Sequence, residues 1–266
     1  MPDLVTISIE NAVAGVRLNR PDKYNALSPE MFEAIVAAGE SIAANRSVRA
    51  VVLSGEGKGF CAGLDFETFS QIKSDGLNLF EEKADGAYPN PFQNAAYVWK
   101  RLPIPVIAAL HGSAFGAGMQ IALGADIRLA SPDARLAIME VKWGLVPDMA
   151  ATQTLRDLVR LDVAKELLFT GRIVDAVEAH HLGLITRVCD APLVEALKMA
   201  NEIAQKSPDA ILAGKSLLEK AWHSLPEDGL RLEEKLQKSL LGSPNQVEAI
   251  KANFEKRAPE FQDPES

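Results

Sequence analysis

Apolar and polar residues alternate from Val5 to Glu10 and again from Ala14 to Leu18, the period of two of half-buried strands, and the short gap between them predicts a tight turn. The period changes after Ser28-Pro29-Glu30. Ser28 is a natural N-cap, Pro29 suits the first helical position, and Met31, Ile35 and Ile42 share one helical face. Arg49 to Leu53 reads as a buried strand from its β-branched apolar run. A glycine-dense turn follows, and a helix is expected to start near Leu64.

The pattern then repeats. Ile104 to Leu110 predicts a buried strand, Gly112 to Gly118 a turn, and Met119 to Leu123 the start of a helix. Asp126 to Ala130 and Ala134 to Ile138 predict two more short strands, and Met149 to Leu158 a helix for which Asp148 is either an N-cap, a catalytic acid or both. Successive strand–strand–helix units suggest a layered α/β spiral rather than a doubly wound sheet. Residues 70–98, rich in Gly, Asn, Pro and charge, predict a long irregular lid or binding loop. Beyond about residue 193 the pattern is helical, with stretches Leu193–Gln205, Pro208–Trp222, Pro226–Leu241 and Pro244–Arg257 punctuated by prolines. A soft boundary is expected near residue 200, giving a core over residues 1–200 and a helical region over 201–266.

At 266 residues the chain can bury a large core without a disulfide or metal staple. Its net charge of −8 argues against nucleic acid as a partner, because phosphate binding needs a basic surface. Cys61 and Cys189 match no metal-ligand spacing and are read as free thiols of a reducing compartment. The first ten residues lack the pattern of a leader, and the longest apolar run, 104–110, is too short to span a bilayer. A cytoplasmic location with no membrane partner is therefore expected.

Two segments carry candidate chemistry. Ser54-Gly-Glu-Gly-Lys-Gly-Phe-Cys-Ala-Gly-Leu-Asp65 and His111-Gly-Ser-Ala-Phe-Gly-Ala-Gly-Met-Gln120 each run from a strand through small residues toward a helix. Amides at a helix start lack partners and sit at the positive end of its dipole, where they can face a developing negative charge. Gly55-x-Gly57-x-Gly59 lacks the dinucleotide spacing, and no phosphate-binding P-loop run is present. His111 and the His180-His181 pair read as structural, since no metal partner is in view.

Four ordered motifs resemble those of the crotonase (enoyl-CoA hydratase/isomerase) superfamily. Leu18-Asn-Arg-Pro-Asp-Lys-Tyr-Asn-Ala-Leu27 resembles its L-N-R-P…N-A-L motif, and Phe60-Cys-Ala-Gly-Leu-Asp65 its F-x-A-G-x-D motif. Gly112-Ser-Ala-Phe-Gly-Ala-Gly-Met-Gln120 resembles its G-x-A-x-G-G-G-x-E segment, continued by Ala125-Asp-Ile-Arg128. Leu168-Phe-Thr-Gly-Arg172, Glu178-Ala179 and Gly183-Leu184 follow in order. The resemblance implies a spiral of ββα turns with a C-terminal helical region that assembles trimers or hexamers. It implies an oxyanion hole formed by the amides of Leu64 and Ala117, with Ala62, Gly63, Asp65, Gly116 and Gln120 as substrate-binding residues; Asp65 also reads as the cap of the helix after Leu64. It further implies an acyl-CoA thioester substrate, with Arg20, Lys23 and Lys256 (and Arg257 beside it) toward the phosphates. No metal and no cofactor beyond the substrate's own coenzyme A are implied.

The acids separate the reactions. Hydratases of the family carry two glutamates around the reacting bond, and their positions fall on Gln120 and Glu140. Gln120 cannot exchange a proton, and is read as a satisfied polar group or as a hydrogen-bonding contact to substrate or water. Asp148 stands eight residues after Glu140, the spacing of the Glu and Asp in the family's dienoyl-CoA isomerases. Isomerisation of an enoyl- or dienoyl-CoA by Glu140 and Asp148 is therefore the expected activity. Hydration, another reaction of the superfamily and a non-catalytic acyl-CoA binder are the alternatives.

Overall fold

The computed structural model describes residues 3–65, 67 and 89–264. Strands β1 (Val5–Glu10) and β2 (Val13–Leu18) form the expected antiparallel hairpin, with Asn11 and Ala12 in left-handed conformations at the turn. Helix α1 (Pro29–Ala44) begins as read from the sequence: the Ser28 hydroxyl accepts from the Met31 amide and Pro29 occupies the first helical position. Strands β3 (Ala50–Gly55) and β4 (Val106–Leu110) are buried along nearly their whole length.

Their burial on both faces explains why neither strand alternates in sequence. In β3, Val51 and Leu53 face the principal core while Ala50 and Val52 face a second one. In β4, Val106, Ala108 and Leu110 take the first side, and Ile107 and Ala109 the second. The first core is closed by α1, by α2 (Pro91–Arg101) and by α3 (Ala117–Leu123). The second is closed by α7 (Pro192–Ala204), whose Ala196, Ala200 and Ala204 recur at i+4 and let the helix lie close against the sheet. The proposed division near residue 200 thus falls inside a helix that packs on the sheet.

The sheet order is β1-β2-β3-β4-β6-β9, parallel from β2 onward, with β6 (Ile127–Ala130) and β9 (Arg187–Val188) completing it. A second sheet joins β5 (Ser113–Phe115), β7 (Arg135–Ala137) and β8 (Val174–Asp175). Isolated parallel bridges from Leu27 to Leu64 and from Cys61 to Ala114 extend this layer across earlier turns of the chain. Each circuit therefore adds one segment to each layer, the expected α/β spiral of ββα turns.

Helices α4 (Ala151–Thr154), α5 (Leu161–Thr170) and α6 (Ala176–Leu182) complete the core, and α8 (Pro208–Ala221), α9 (Pro226–Leu240) and α10 (Pro244–Glu255) form the C-terminal helical region. No helix among the described residues is long and apolar enough to cross a membrane.

Three local expectations change. Gly112 to Gly118 is not one turn: it contains β5 and the start of α3, and a three-residue strand is too short to show a period. Part of the irregular stretch 70–98 is α2, whose Asn90 side chain and Gln93 form a reciprocal capping box; residues 70–88, like the helix expected after Leu64, lie outside the described residues. The helix expected over Met149 to Leu158 is shorter, with Ala151–Thr154 running into a 3-10 turn over Leu155–Asp157.

The layers are pinned where backbone meets backbone. A Cβ placed on Gly118, in α3, would fall 2.4 Å from the Cys61 carbonyl oxygen and 2.7 Å from its Cβ. Gly118→Ala should therefore cost ~1–3 kcal/mol of stability, the usual scale of overpacking. Urea denaturation checks this, and an unchanged midpoint would show that the two segments can separate freely.

Candidate active site

The first turn is organised by Asn25, a residue quoted in the sequence motif without a role. It is fully buried, with a left-handed backbone (φ 57°). Its Nδ2 donates to the carbonyls of Glu56 (2.9 Å), Gly59 (2.9 Å) and Phe60 (3.1 Å), and its Oδ1 accepts from the Arg20 amide (2.8 Å). One amide side chain thus ties the Arg20–Leu27 segment to the glycine turn. Tolerance of asparagine for positive φ was the available signal.

Beside it, the Arg20 guanidinium points inward. Its Nη1 donates to Asp65 (2.5 Å) and to the Ala26 carbonyl (3.0 Å). Arg20 is thus engaged in fixing the turn, where the resemblance had directed it to phosphates. Asp65 is 6% exposed and also accepts from the Glu67 amide. Burial would raise its carboxyl, but the Glu67 amide and Arg20 outweigh that and hold it below the ordinary range. Lys23 is exposed and reaches Glu67 at 3.5 Å. Lys256 ends α10 in a left-handed conformation (φ 52°) and is exposed, and the neighbouring Arg257 is paired with Glu248 and Glu255.

The turns meet at Leu64 and Ala117. Leu27 donates to the Gly63 carbonyl and accepts from the Asp65 amide, so the Leu64 N–H between them faces away from Leu27. Gly63 adopts φ +94°, and a Cβ there would lie 2.8 Å from the Phe115 carbonyl oxygen and 3.8 Å from the Ala117 nitrogen. Ala62 donates to the Tyr24 carbonyl and Gly116 to that of Ala137. Ala117 is the first residue of α3, with Gly116 as its N-cap. Among the described residues neither the Leu64 nor the Ala117 amide has a backbone acceptor. Two adjacent donors without acceptors suit an oxygen that gains negative charge.

Two carboxyls stand near α3. The Glu140 Oε1 accepts from Gln120 Nε2 at 2.6 Å, while its Oε2 is buried with no hydrogen-bond partner among the described residues. Burial pushes the Glu140 carboxyl above the ordinary glutamate range, and the charge of Asp148 pushes the same way; the Gln120 hydrogen bond opposes them without prevailing. Gln120 is 1% exposed, and its Oε1 accepts from the Met149 amide at 2.8 Å. It therefore bridges Glu140 to the residue that follows Asp148. Asp148 is still reached by solvent, yet the protein around it pushes its carboxyl up as well. It does not cap a helix: Ala150, in a left-handed conformation, precedes α4, and no side chain caps that end.

Asp148 also lines a cleft of about 470 Å³ with Gln93 and Tyr97 of α2 and Ala151 to Gln153 of α4. The α2 contribution has no clear sequence signal, because the Pro and Asn residues at its start also mark loops. His111 serves structure, its Nε2 donating to the Gly57 carbonyl at 3.0 Å. Burial pushes the Cys61 thiol up to about 12, consistent with an inert thiol.

Two amides with no acceptor among the described residues thus lie at the meeting of spiral turns, near a desolvated carboxyl. A sequence profile of the enoyl-CoA hydratase/isomerase family matches residues 8–264, and the chain belongs to that family. It is 34% identical over 97% of both chains to YngF of Bacillus subtilis, whose name assigns it provisionally to the enoyl-CoA hydratases/isomerases. It is 30% identical to the mitochondrial methylglutaconyl-CoA hydratase of Mus musculus, across 92% of this chain and 77% of that one. The crystal structure of an enoyl-CoA hydratase from Bacillus anthracis superposes with a TM-score of 0.88 at 28% identity, covering 98% of this chain and all of the other. The chain is thus similar to crotonase-type enzymes over its whole α/β spiral.

The amides are testable because proline has no N–H. Ala117→Pro, at a first helical position that accepts proline, should lower kcat by ~10²-fold or more if that amide holds the oxyanion. Circular dichroism controls for folding. An intact rate in a folded variant would remove Ala117 from the site.

Proposed function

We propose that the enzyme isomerises the double bond of an enoyl- or dienoyl-CoA, with Glu140 and Asp148 carrying the protons and the Leu64 and Ala117 amides holding the thioester oxygen. The observation that supports this most is the pair of carboxyls, both pushed above their ordinary range, with Gln120, a side chain that cannot titrate, joining Glu140 to the Met149 amide beside Asp148. One carboxylate takes a proton from an acyl carbon, and the C–H electron pair moves toward the carbonyl to give an enolate. A carboxyl then delivers a proton to a different carbon as the charge returns along the chain. Electrostatic support of the oxygen by fixed amides lowers both barriers. Coenzyme A enters as part of the substrate, with Lys23 and Lys256 as exposed candidates for its phosphates, and no further cofactor is required.

Hydration is the second reading, favoured by the hydratase names of relatives such as those of Mus musculus and Bacillus anthracis. Glu140 would then activate water held by Gln120. A panel of purified CoA esters with products followed by mass spectrometry separates the two. Isomerisation leaves the mass unchanged and shifts the ultraviolet absorbance, whereas gain of 18 mass units on the best substrate would replace the isomerase reading with hydration.

Asp148 discriminates further. Glu140 must be ionised to take a proton, so kcat/KM should rise with pH through a midpoint above the ordinary glutamate value. Asp148→Asn removes a like charge and should move that midpoint to lower pH, while lowering kcat by ~10²-fold on a dienoyl-CoA. A wild-type rate and an unmoved midpoint would exclude Asp148 from the reaction.

The proposal includes a trimer or hexamer. Trp222, Leu225, Leu241 and Phe254 of the C-terminal region are exposed, as are Val146 and Phe169 of the core, more apolar surface than one copy needs. Multi-angle light scattering at micromolar concentration should give three or six copies, and a stable monomer would contradict it.

A further inference from the structure

Gln120 occupies a position that the proposed reaction uses only as a bridge, yet its geometry bears on which oxygen of Glu140 does the chemistry. The Met149 amide can only donate, so the group of Gln120 facing it at 2.8 Å must be the carbonyl oxygen. The orientation of the side-chain amide is thereby determined, and Nε2 is turned to Glu140 Oε1 at 2.6 Å. An N–H directed at Oε1 leaves no room for an acidic hydrogen between the two atoms. When Glu140 is protonated, its proton resides on Oε2. That oxygen is buried without a hydrogen-bond partner among the described residues, a costly arrangement of the sort that functional groups retain. Oε1, meanwhile, lies against the second glycine turn: a Cβ on Gly116 would sit 3.4 Å from it. The carboxyl is thus held against the residue that precedes the Ala117 amide.

We propose that Gln120 is a positioning residue that commits Oε1 of Glu140 to a hydrogen bond and leaves Oε2 as the oxygen that exchanges a proton with the acyl chain. The inference rests on the reading of Glu140 as a proton carrier. In the forward step the Oε2 lone pair bonds the departing proton, and the C–H electron pair becomes part of the enolate whose oxygen accepts from the Leu64 and Ala117 amides. In the return step the Asp148 O–H bond breaks and its proton goes to a different acyl carbon; Glu140 then releases the Oε2 proton to solvent and Asp148 takes one back, so both carboxyls regain their starting state. Gln120 has no proton of its own to give in either step. An acid in its place could also accept from Met149, but it would put a second ionisable oxygen beside Oε1 and compete for the same proton.

Two substitutions and two readouts test this. Gln120→Leu removes both hydrogen bonds at similar volume, and Gln120→Glu preserves shape while replacing the donor by an ionisable oxygen. Turnover of trans-3-hexenoyl-CoA is measured from pH 5 to 9, and the Glu140 carboxyl is titrated without substrate by infrared difference spectroscopy, using Glu140→Gln to assign its band. Gln120→Leu should lower kcat by ~10²-fold with KM within about threefold, the usual effect of a small misplacement of a reacting group. It should also move the Glu140 midpoint to higher pH, because a hydrogen bond that favours the ionised form is gone. Gln120→Glu should invert the pH dependence: turnover recovers as pH falls and a proton shared between the two carboxyls restores the donor. A Gln120→Leu protein with an unmoved Glu140 midpoint and unchanged kcat, even if less stable, would overturn the inference. If Gln120→Leu does not fold, a Gln120→Glu protein whose turnover and Glu140 titration match the wild type overturns it equally. Glu140→Gln separates the two levels: full activity there defeats the proton-carrier reading itself, whereas its loss beside unaffected Gln120 variants defeats only the role given to Gln120.

Discussion

The site depends on a backbone-to-backbone contact between two successive turns of the spiral. Residues 59–64 and 112–118 lie so close that Gly63 and Gly118 have no space for a Cβ against Phe115 and Cys61. Short ladder bonds lock the approach: Phe60 to His111, Cys61 to Ser113, and Phe115 back to Cys61. The Leu64 and Ala117 amides fall just beyond the end of that ladder, where the chain turns into α3 on one side and pairs with Leu27 on the other. Donors placed in this way belong to the rigid framework, so they need not reorganise as charge develops on a substrate oxygen. Asn25 and the Arg20–Asp65 pair brace the outer side of the same contact.

A carboxyl beside such donors has to be tuned in the opposite sense. Where the amides favour negative charge on the substrate, burial around Glu140 disfavours it on the enzyme, and Asp148 adds like-charge repulsion. A base whose ionised form is destabilised takes a proton more readily, and the resulting acid keeps that proton to a higher pH than an ordinary exposed carboxyl. Gln120 supplies one hydrogen bond that keeps the anion accessible and adds no titrating group. Neutral and charged partners are thus set around one carboxyl by three segments: α3, the Glu140 turn and the Pro147–Met149 stretch.

Much of this was legible in the chain. The Ser28-Pro29 start of α1 follows from local preferences, the buried β3 and β4 appear as apolar runs, and the resemblance in ordered motifs pointed to both glycine turns and to the spiral. What escaped has physical reasons. β5 has only three residues, less than two periods of alternation, so it read as turn. The Asn90 capping box was masked by surrounding Pro and Asn that also signal loops, which hid α2 and with it Gln93 and Tyr97 beside Asp148. Asp148 after Pro147 satisfied the local rule for an N-cap, but the left-handed Ala150 delays the helix by two residues. The resemblance directs Arg20 toward phosphates, and its pairing with Asp65, a partner 45 residues away, has no signature in sequence order. The bridge from Gln120 to Glu140 and Met149 spans 20 and 29 residues and has no signature in sequence order.

The central claim is that Glu140, next to the two amides, moves a proton between an acyl-CoA and solvent-exchangeable positions. Its most direct measurement is deuterium incorporation from D₂O into trans-3-hexenoyl-CoA and its product, followed by nuclear magnetic resonance, with wild-type and Glu140→Gln proteins side by side. The account predicts deuterium at the carbon next to the thioester or at the carbon that receives the new proton, and loss of that exchange by ~10²-fold or more in Glu140→Gln. Exchange that persists undiminished in a folded Glu140→Gln protein, or an isomerised product that carries no deuterium at either carbon, would contradict it.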